Sequence, residues 1–274
     1  MIQNSIIKKV GTLSGKTVAI FAGIHGNEKV GVKVLERLEK DLKVTSGTVF
    51  LVYGNPPAIE ADKRFVTKNL NRLFSTKEST ENEYEDVRAK ELMGILDECD
   101  AVLDIHSYNS PTGEQFSFCE SNGYDVLKNM DFPIIVSRVD LDPKMYSSTV
   151  MGYMNQAGGI GICVECGTSN RADEFLPLAL KSSYQFLQYF GVVDTKVPND
   201  TVLQQFIKND RMLYKKNENL RFVKDFADFE PLPAGEVFAF DGDEALVAGK
   251  NECIIFPRPN VPVGGEVCLI GLFM

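Results

Sequence analysis

Short runs of β-branched residues alternate with helical patterns from residue 17 to about residue 190. A helix that follows each strand packs its apolar side on the sheet, so this alternation is typical of an α/β fold with helices on the faces of the sheet. It limits the choice of folds more than any other feature of the chain. The predicted strands cover residues 17–23, 48–54, 101–107, 133–138 and 161–167.

Three helices are predicted in the same region. The first follows the first strand, where apolar residues recur every four positions, and Asn27 is its candidate N-cap. The second fits residues 81–98, where an apolar side runs along an acidic segment, and the third fits residues 173–190. The apolar positions of the first two helices are Val30, Val34, Leu35, Leu38 and Leu42, then Val87, Leu92, Ile95 and Leu96.

The sequence changes character after the segment of residues 191–200. The remainder consists of short apolar pieces broken by Gly, Pro and Asp-Gly, as in AGEVFAFDGDEALVAGKNECIIF, and this pattern predicts β structure. We therefore expect a larger α/β domain of residues 1–191 and a smaller β-rich domain of residues 192–274. The chain of 274 residues is long enough for both to bury a core.

Composition excludes several classes of partner. A formal net charge of −9 argues against a sequence-independent grip on nucleic acid, which draws on clustered Lys and Arg. No stretch approaches the roughly 20 apolar residues that span a bilayer, and the first residues lack the pattern of a secretory signal. The six cysteines are scattered, mostly in apolar runs, as reduced buried thiols are. We expect a soluble, cytoplasmic protein that binds neither nucleic acid nor membrane.

Three polar residues stand at strand ends. His25 follows the first strand, His106 lies near the end of AVLDIHS, and Glu165 lies near the end of GICVECG. In open α/β sheets, ligands bind at the carboxyl ends of the strands, so these side chains are expected to share one crevice. The chain has only two histidines, and both lie at such a position.

These residues match a known type of metal site. Zinc in hydrolases takes three protein ligands, and two histidines with one glutamate is a recurring set. His25, Glu28 and His106 can supply it, while Asp104 lies on the same strand face as His106 and could orient its imidazole. The alternative stays open from the residues alone, because a lone histidine after a strand is more often an ordinary loop residue.

The motifs GIHGNE, DIHS and VECGTSN, together with RFVTKNLNRLF at residues 64–74, resemble those of the succinylglutamate desuccinylase and aspartoacylase family, relatives of the zinc carboxypeptidases. The resemblance covers roughly residues 17–190 in the family's order. It implies a mixed α/β sheet flanked by helices, as in zinc carboxypeptidases, with a smaller β-rich C-terminal domain. It also implies one zinc ion per chain, bound by His25, Glu28 and His106.

The resemblance implies further roles, residue by residue. Glu165 matches the family's general base, and Arg64 matches the arginine that polarises the scissile carbonyl. Asn71 and Arg72 match the pair that holds a substrate carboxylate. Each role is physically sound, because a carboxylate can take a proton from a water molecule and a guanidinium can bind a carboxylate with two hydrogen bonds.

The sequence also departs from the family pattern. The aspartoacylase branch has another arginine shortly before its glutamate base, but STVMGYMNQAGGIGICVE contains none. That branch completes its site with a C-terminal tyrosine, and this chain has no tyrosine after Tyr214. Asn69 stands where family members typically have an acidic residue. Because the arginine and the tyrosine are absent, specificity for N-acetylaspartate is not expected.

Other motifs have competing interpretations. Cys163 and Cys166 form a C-x-x-C that could be a redox pair or a second metal site, but residues three apart on a strand point to opposite faces, which favours two structural thiols. Glu114 and Glu120 are rival candidates for the base, or solvated loop carboxylates. The basic group Lys63, Arg64, Lys68 and Arg72 is either a solvated face or an anion site.

The sequence thus predicts a zinc-dependent deacylase that hydrolyses the amide bond of an N-acyl amino acid or a similar small amide. Its partner is then a small molecule that bears a carboxylate; the oligomeric state stays open, and a homo-oligomer is compatible with the sequence. Two alternatives remain: a metallocarboxypeptidase that acts on peptides, and a small-molecule binding protein without catalytic activity.

Overall fold

A computed structural model describes residues 4–75, 82–108, 112–137, 146–200 and 203–274. Eleven of its strands form one sheet, in the order β1-β3-β2-β4-β7-β5-β6-β8-β14-β13-β10, and three form a second sheet, in the order β12-β11-β9. The strands are β1 (Ile6–Val10), β2 (Leu13–Ala22), β3 (Ser46–Tyr53), β4 (Ala101–His106), β5 (Gln115–Cys119), β6 (Ile134–Ser137), β7 (Ile160–Cys166), β8 (Gln205–Tyr214), β9 (Arg221–Phe222), β10 (Glu230–Pro231), β11 (Val237–Asp241), β12 (Glu244–Val247), β13 (Glu252–Ile255) and β14 (Glu266–Phe273).

The described helices lie on both faces of the large sheet. They are α1 (Lys29–Asp41), α2 (Pro56–Glu60), α3 (Tyr84–Leu96), α4 (Tyr124–Leu127), α5 (Val150–Gln156) and α6 (Ala172–Tyr189). Alternate residues of β2 point to opposite faces, so that Ile20 packs with α1 and α6 while Phe21 packs with α3 and α5. The predicted fold class is confirmed: the sheet is mixed, because β5 runs antiparallel to β7 within a parallel centre.

Two predictions about the helices are wrong. Asn27 does not cap α1; Glu28 occupies the N-cap position and makes no capping hydrogen bond, because its carboxylate turns toward His25 and His106. Val87 is 55% exposed rather than part of a buried apolar side. The buried side of α3 is partly charged, since Glu85 and its neighbours hydrogen-bond the preceding loop.

The β-rich C-terminal segment is confirmed, and its strands extend the large sheet. β8 pairs with β6 in parallel and with β14 in antiparallel orientation, so the sheet continues across the boundary expected near residue 192. The predicted strand of residues 133–138 corresponds to β6; residue 138, like residue 81 of the predicted second helix, lies outside the described residues. None of the described helices combines the length and the hydropathy that crossing a membrane requires.

Candidate active site

The parallel centre of the sheet brings the predicted site residues together. His106 ends β4 and is the cross-strand partner of Glu165 on β7, so the two side chains start from adjacent backbone positions. His25 lies in the loop that leaves β2, the strand on the other side of β4. This loop passes so close to α2 that a Cβ on Gly26 would lie 2.1 Å from the carbonyl carbon of Ala58, which only glycine permits.

His25, Glu28 and His106 converge on one point. Their ligand atoms all lie within 4.8 Å of one another, and all three residues are buried. Glu28 Oε1 lies 2.7 Å from Nδ1 of His25, and Glu28 Oε2 lies 2.8 Å from Nδ1 of His106. The same nitrogen of each ring therefore faces the carboxylate.

The outer nitrogen of each ring has its own oxygen partner. Nε2 of His106 lies 2.8 Å from Oδ2 of Asp104, and Nε2 of His25 lies 2.9 Å from Oδ1 of Asn69. The Asn69 atom also accepts a hydrogen bond from the backbone N–H of Asn71, which identifies it as the amide oxygen. Both Nε2 atoms can thus act as donors, which leaves the Nδ1 lone pairs for a cation.

The electrostatics of this group suit a bound cation. Burial lowers the pKa of His25 despite the nearby Glu28 carboxylate. Burial also disfavours a charged His106, yet Asp104 and Glu28 raise its pKa well above the usual value. Burial would raise the pKa of Glu28, but both imidazoles hold it well below its usual range. Two imidazoles and a carboxylate are ligands that divalent zinc accepts, so the residues fit a metal ion.

Glu165 lies half-buried in the wall of the same cavity. Burial raises the pKa of its carboxyl group to about 8. The charge of Glu28 also raises this pKa, and the charges of His106, Arg64 and Arg258 lower it, so that these effects partly cancel and the effect of burial remains. Its Oε2 has no hydrogen-bond partner among the described residues. A carboxylate with an uncommitted oxygen and a raised pKa can exchange a proton near neutral pH.

Arg64 is the second residue predicted to be catalytic, and it also lines the cavity. Its Nη1 donates to Glu28 Oε1 at 3.1 Å, while nearly half of its side chain stays exposed. The following loop is fixed to α3, because Glu85 accepts hydrogen bonds from the backbone N–H and the hydroxyl of Thr67 and from the N–H of Val66. The buried acidic side of α3 therefore fixes the loop that presents Arg64.

Asn71 and Arg72 lie in the short helical turn Leu70–Arg72 that follows this loop. Asn71 Oδ1 accepts from the backbone N–H of Val150, which turns its Nδ2 toward His106 at 3.4 Å. Arg72 donates to the carbonyl of Asn71 and lies 3.7 Å from the carboxylate of Glu266 on β14. Both residues line the cavity, as expected for a pair that contacts substrate.

The cavity has a volume of about 180 Å³. One of its walls was not predicted from the sequence. Residues from beyond position 200, on β8, on β14 and after β13, contribute charged, amide and apolar side chains to it. No motif in the sequence marked them. These residues are Asn209, Met212, Phe256, Arg258, Glu266 and Leu269.

The structure distinguishes between the alternatives for the two cysteines and for the rival carboxylates. Cys163 faces the cavity while Cys166 is buried in the core against α6, so the prediction of opposite faces is confirmed, and both are free thiols. Cys163 lies near Asp104 and His106, and these three form a second group with metal-ligand spacing that shares His106 with the first. Glu114 and Glu120 are not among the residues that line the cavity.

The basic group is divided between two roles. Lys68 is paired with Asp86 at 2.9 Å and with Glu83 at 3.6 Å, and Lys63 is exposed. Arg64 and Arg72 point into the cavity. Half of the predicted anion site is thus part of the cavity, and the other half is an ion-paired or solvated surface.

Comparison with known proteins agrees with this arrangement. Residues 14–178 match the family model described as the succinylglutamate desuccinylase/aspartoacylase catalytic domain, and residues 201–271 match the AstE/AspA barrel-sandwich hybrid domain. A probable aspartoacylase from Nostoc sp. is 28% identical, over 88% of this chain and 89% of the relative. A succinylglutamate desuccinylase from Pseudoalteromonas atlantica is 24% identical, over 93% of this chain and 81% of the relative.

Solved structures share the fold. The crystal structure of succinylglutamate desuccinylase from Vibrio cholerae superposes with a TM-score of 0.82 at 20% identity, covering 98% of this chain and 85% of the other. The first family model alone matches more than half of the chain, in the region that contains His25, Glu28, His106 and Glu165. The chain therefore belongs to the succinylglutamate desuccinylase/aspartoacylase family.

Proposed function

We propose that the protein is a zinc-dependent deacylase that hydrolyses the amide bond of an N-acyl amino acid or a similar small amide. The observation that carries the proposal is the convergence of His25, Glu28 and His106 within 4.8 Å, in the same cavity as Glu165. The relatives described above are named for removing succinyl or acyl groups from amino acids.

His25 and His106 would bind the zinc ion through Nδ1, and Glu28 would bind it through its carboxylate. When bound there, zinc supplies Lewis-acid polarisation of a carbonyl group and lowers the pKa of a water molecule. Asp104 and Asn69 hold the two imidazoles by their Nε2 atoms, which keeps each ring in the tautomer that a ligand needs.

Glu165 would act as the general base. Its uncommitted Oε2 would accept a proton from the attacking water and then deliver it to the nitrogen of the leaving amine. The raised pKa supports both steps, because a carboxyl group that titrates near neutral pH can accept and release a proton within one cycle.

Arg64, Asn71 and Arg72 would bind the substrate. The exposed part of the Arg64 guanidinium is available to the oxygen of the scissile carbonyl, where a fixed positive charge stabilises the developing oxyanion. Arg72 would hold the substrate carboxylate beside the Asn71 amide. Its contact with Glu266, at 3.7 Å, is long enough for a substrate carboxylate to compete with it.

The size of the cavity favours a small amide over a peptide. The C-terminal segment supplies one wall of the cavity, including Phe256 and Leu269, and this wall limits the room for a chain that extends on both sides of the scissile bond. A binding protein without activity is the less favoured alternative, since the proposed ligands, base and arginines are all present. The domain division after residue 191 and a cytoplasmic location stay predictions from the sequence.

A hydrolysis screen tests the proposal. The purified protein, with and without added zinc, is incubated with a panel of N-acyl amino acids and with tripeptides, and the released amine is measured. We expect zinc-dependent hydrolysis of N-acyl amino acids, which is abolished by a chelator and restored by zinc.

Two results of the same screen would contradict the proposal. Preferential hydrolysis of tripeptides would identify a carboxypeptidase, and binding of N-acyl amino acids without hydrolysis by the zinc-loaded protein would identify a binding protein. The His106→Ala variant serves as the control for contaminating hydrolases, because it lacks one proposed ligand.

A further inference from the structure

Asn209 reaches the cavity from β8, on the C-terminal side of the expected domain boundary. Its cross-strand partner is Gly271, and the pairing skips Asp210 before it resumes between Arg211 and Ile270. This β-bulge explains why Asn209 and Met212, three residues apart, both line the cavity, although such residues face opposite sides of a regular strand. The bulge therefore directs an amide into the site.

The amide oxygen of Asn209 is buried and has no hydrogen-bond partner among the residues that the structure describes. The residue is 2% exposed, and its Oδ1 makes no hydrogen bond to any residue in the described part of the chain. Asn55 provides a contrast: it is also fully buried, but it accepts from the N–H of Ala58 and donates to Glu85. Burying a polar group without a partner is destabilising, so folding alone gives no reason for an asparagine at position 209.

The surroundings of Asn209 in the cavity are apolar. Phe118, Met212, Phe256 and Leu269 line the same cavity and belong to one hydrophobic cluster, which also contains Ile207, two residues before Asn209 on β8. Arg258 is exposed and Glu266 is half-buried, and both line the same cavity. A ligand group that reaches Asn209 thus meets the amide together with this apolar cluster.

We infer that Asn209 binds the substrate through a neutral hydrogen-bonding group, a carboxamide, at the end of an apolar segment. The inference rests on the proposed deacylase function and narrows its substrate class. The side-chain amide presents an acceptor oxygen and an NH2 group that donates, and a carboxamide of the ligand can pair with both. A carboxylate only accepts, so it would leave Oδ1 unsatisfied and would bury its charge against an apolar wall.

Two matched series of compounds test this assignment, one for each side of the scissile bond. The first is N-acetyl-L-glutamine, N-acetyl-L-methionine and N-acetyl-L-glutamate, and the second is glycine acylated with succinamoyl, 4-methylpentanoyl or succinyl. Only the series whose carboxamide lies on the side of the scissile bond that reaches Asn209 should respond. In that series, kcat/KM of the wild-type protein should be higher for the carboxamide than for its apolar analogue by about tenfold to a hundredfold. Asn209→Leu should remove or reverse this preference.

The thermal stability of the variants separates recognition from structure. Asn209→Leu should have a Tm equal to or above that of the wild type, because it replaces an unpartnered buried amide by an apolar side chain of similar size. Asn55→Leu, the matched control, should lower the Tm and leave the substrate preference unchanged. A Tm that falls in Asn209→Leu would show a structural role and would overturn the inference.

A measurement of binding distinguishes a failure of the Asn209 assignment from a failure of the deacylase proposal. The affinity of the same six compounds for wild-type protein and for Asn209→Leu is measured by calorimetry. A carboxamide that binds and depends on Asn209, but is not hydrolysed, would contradict the deacylase proposal and support the assignment of Asn209. If no carboxamide is bound or hydrolysed in preference to its analogues, or if Asn209→Leu weakens all compounds equally, the assignment is wrong.

Discussion

The polar groups on the two sides of the cavity differ in their hydrogen bonding. On the side formed by β2 and β4, both nitrogens of His25 and of His106 have an oxygen partner, and each oxygen of Glu28 has an imidazole nitrogen as its partner. On the side formed by β8 and β14, Asn209 presents an unpartnered amide among apolar side chains. The proposed metal ligands are thus held in place before anything binds, whereas the oxygen of Asn209 lacks a partner that a ligand can provide. One buried oxygen each of Asp104 and Glu165 also has no partner among the described residues.

This difference corresponds to two roles: groups on the first side carry out the reaction, and groups on the second side recognise the substrate. Groups that hold a metal ion or transfer a proton need a fixed geometry, because a small displacement of a reacting group slows a reaction strongly. Groups that select a substrate gain specificity from being unsatisfied without it, since an analogue that cannot pair with them leaves the penalty in place. We expect substitutions on the two sides to change different kinetic parameters.

The largest effect is expected for Glu165→Gln on the side of β7. The amide has a similar size but cannot act as a base, so kcat should fall by roughly 10²- to 10⁴-fold while metal content and Tm stay unchanged. Glu114→Gln is the matched control, because Glu114 does not line the cavity. Near-normal turnover in Glu165→Gln would exclude Glu165 as the base, and a loss of metal would instead identify it as a ligand.

A smaller effect is expected for the oxygens that hold the two imidazoles. Asp104→Asn should weaken zinc binding by about 10- to 100-fold, because the carboxylate on Nε2 makes His106 a stronger ligand. Asn69→Asp should strengthen binding for the same reason at His25. Competition with a chromogenic chelator measures both affinities. Equal affinity of Asp104→Asn and wild-type protein would show that the two histidines are not bound through Nδ1 as proposed.

The part of the site that the sequence predicts well is the part that short segments encode. His25 and Glu28 are three residues apart, and Asp104 and His106 are two apart on one strand, so their relative positions follow from local geometry and strand order. The alternation of strands and helices likewise predicted an α/β sheet with helices on its faces, which includes β2, β4 and β7.

The C-terminal wall could not be predicted in the same way. The position of Asn209 depends on a bulge at Asp210 and on pairing between β8 and β14, which are separated by more than fifty residues. The exposure of Val87 was missed for a related reason, because α3 buries Glu85 for its long-range bonds to the loop after Arg64. Hydrophobic periodicity does not reveal a side chain that is buried for its hydrogen bonds.

Arg72→Ala should raise KM by about tenfold or more and change kcat little. A carboxylate anchor acts similarly in the ground state and in the transition state, and hydrogen bonds to charged groups contribute about 1.5 to 3 kcal/mol. Steady-state kinetics on the best N-acyl amino acid measure both parameters, with Lys63→Ala as the control from the exposed part of the basic group. An unchanged KM with a strongly reduced kcat would assign Arg72 to the chemical step instead.

The smallest effect is a pH dependence of stability that Glu165 contributes to the metal-free protein. Because burial raises the pKa of Glu165 from 4.5 to about 8, the folded state keeps a proton that the unfolded state has lost between these values. Stability then falls as pH rises through this window, since the folded state binds more protons than the unfolded state. Glu165→Gln cannot titrate, so its Tm should fall less between pH 5 and about pH 8 than that of the wild type, by thermal unfolding in the presence of a chelator. Glu114→Gln should follow the wild type. Parallel Tm curves for Glu165→Gln and wild-type protein would mean that the carboxyl group is ionised at neutral pH in the folded state, and the general base would then need no raised pKa.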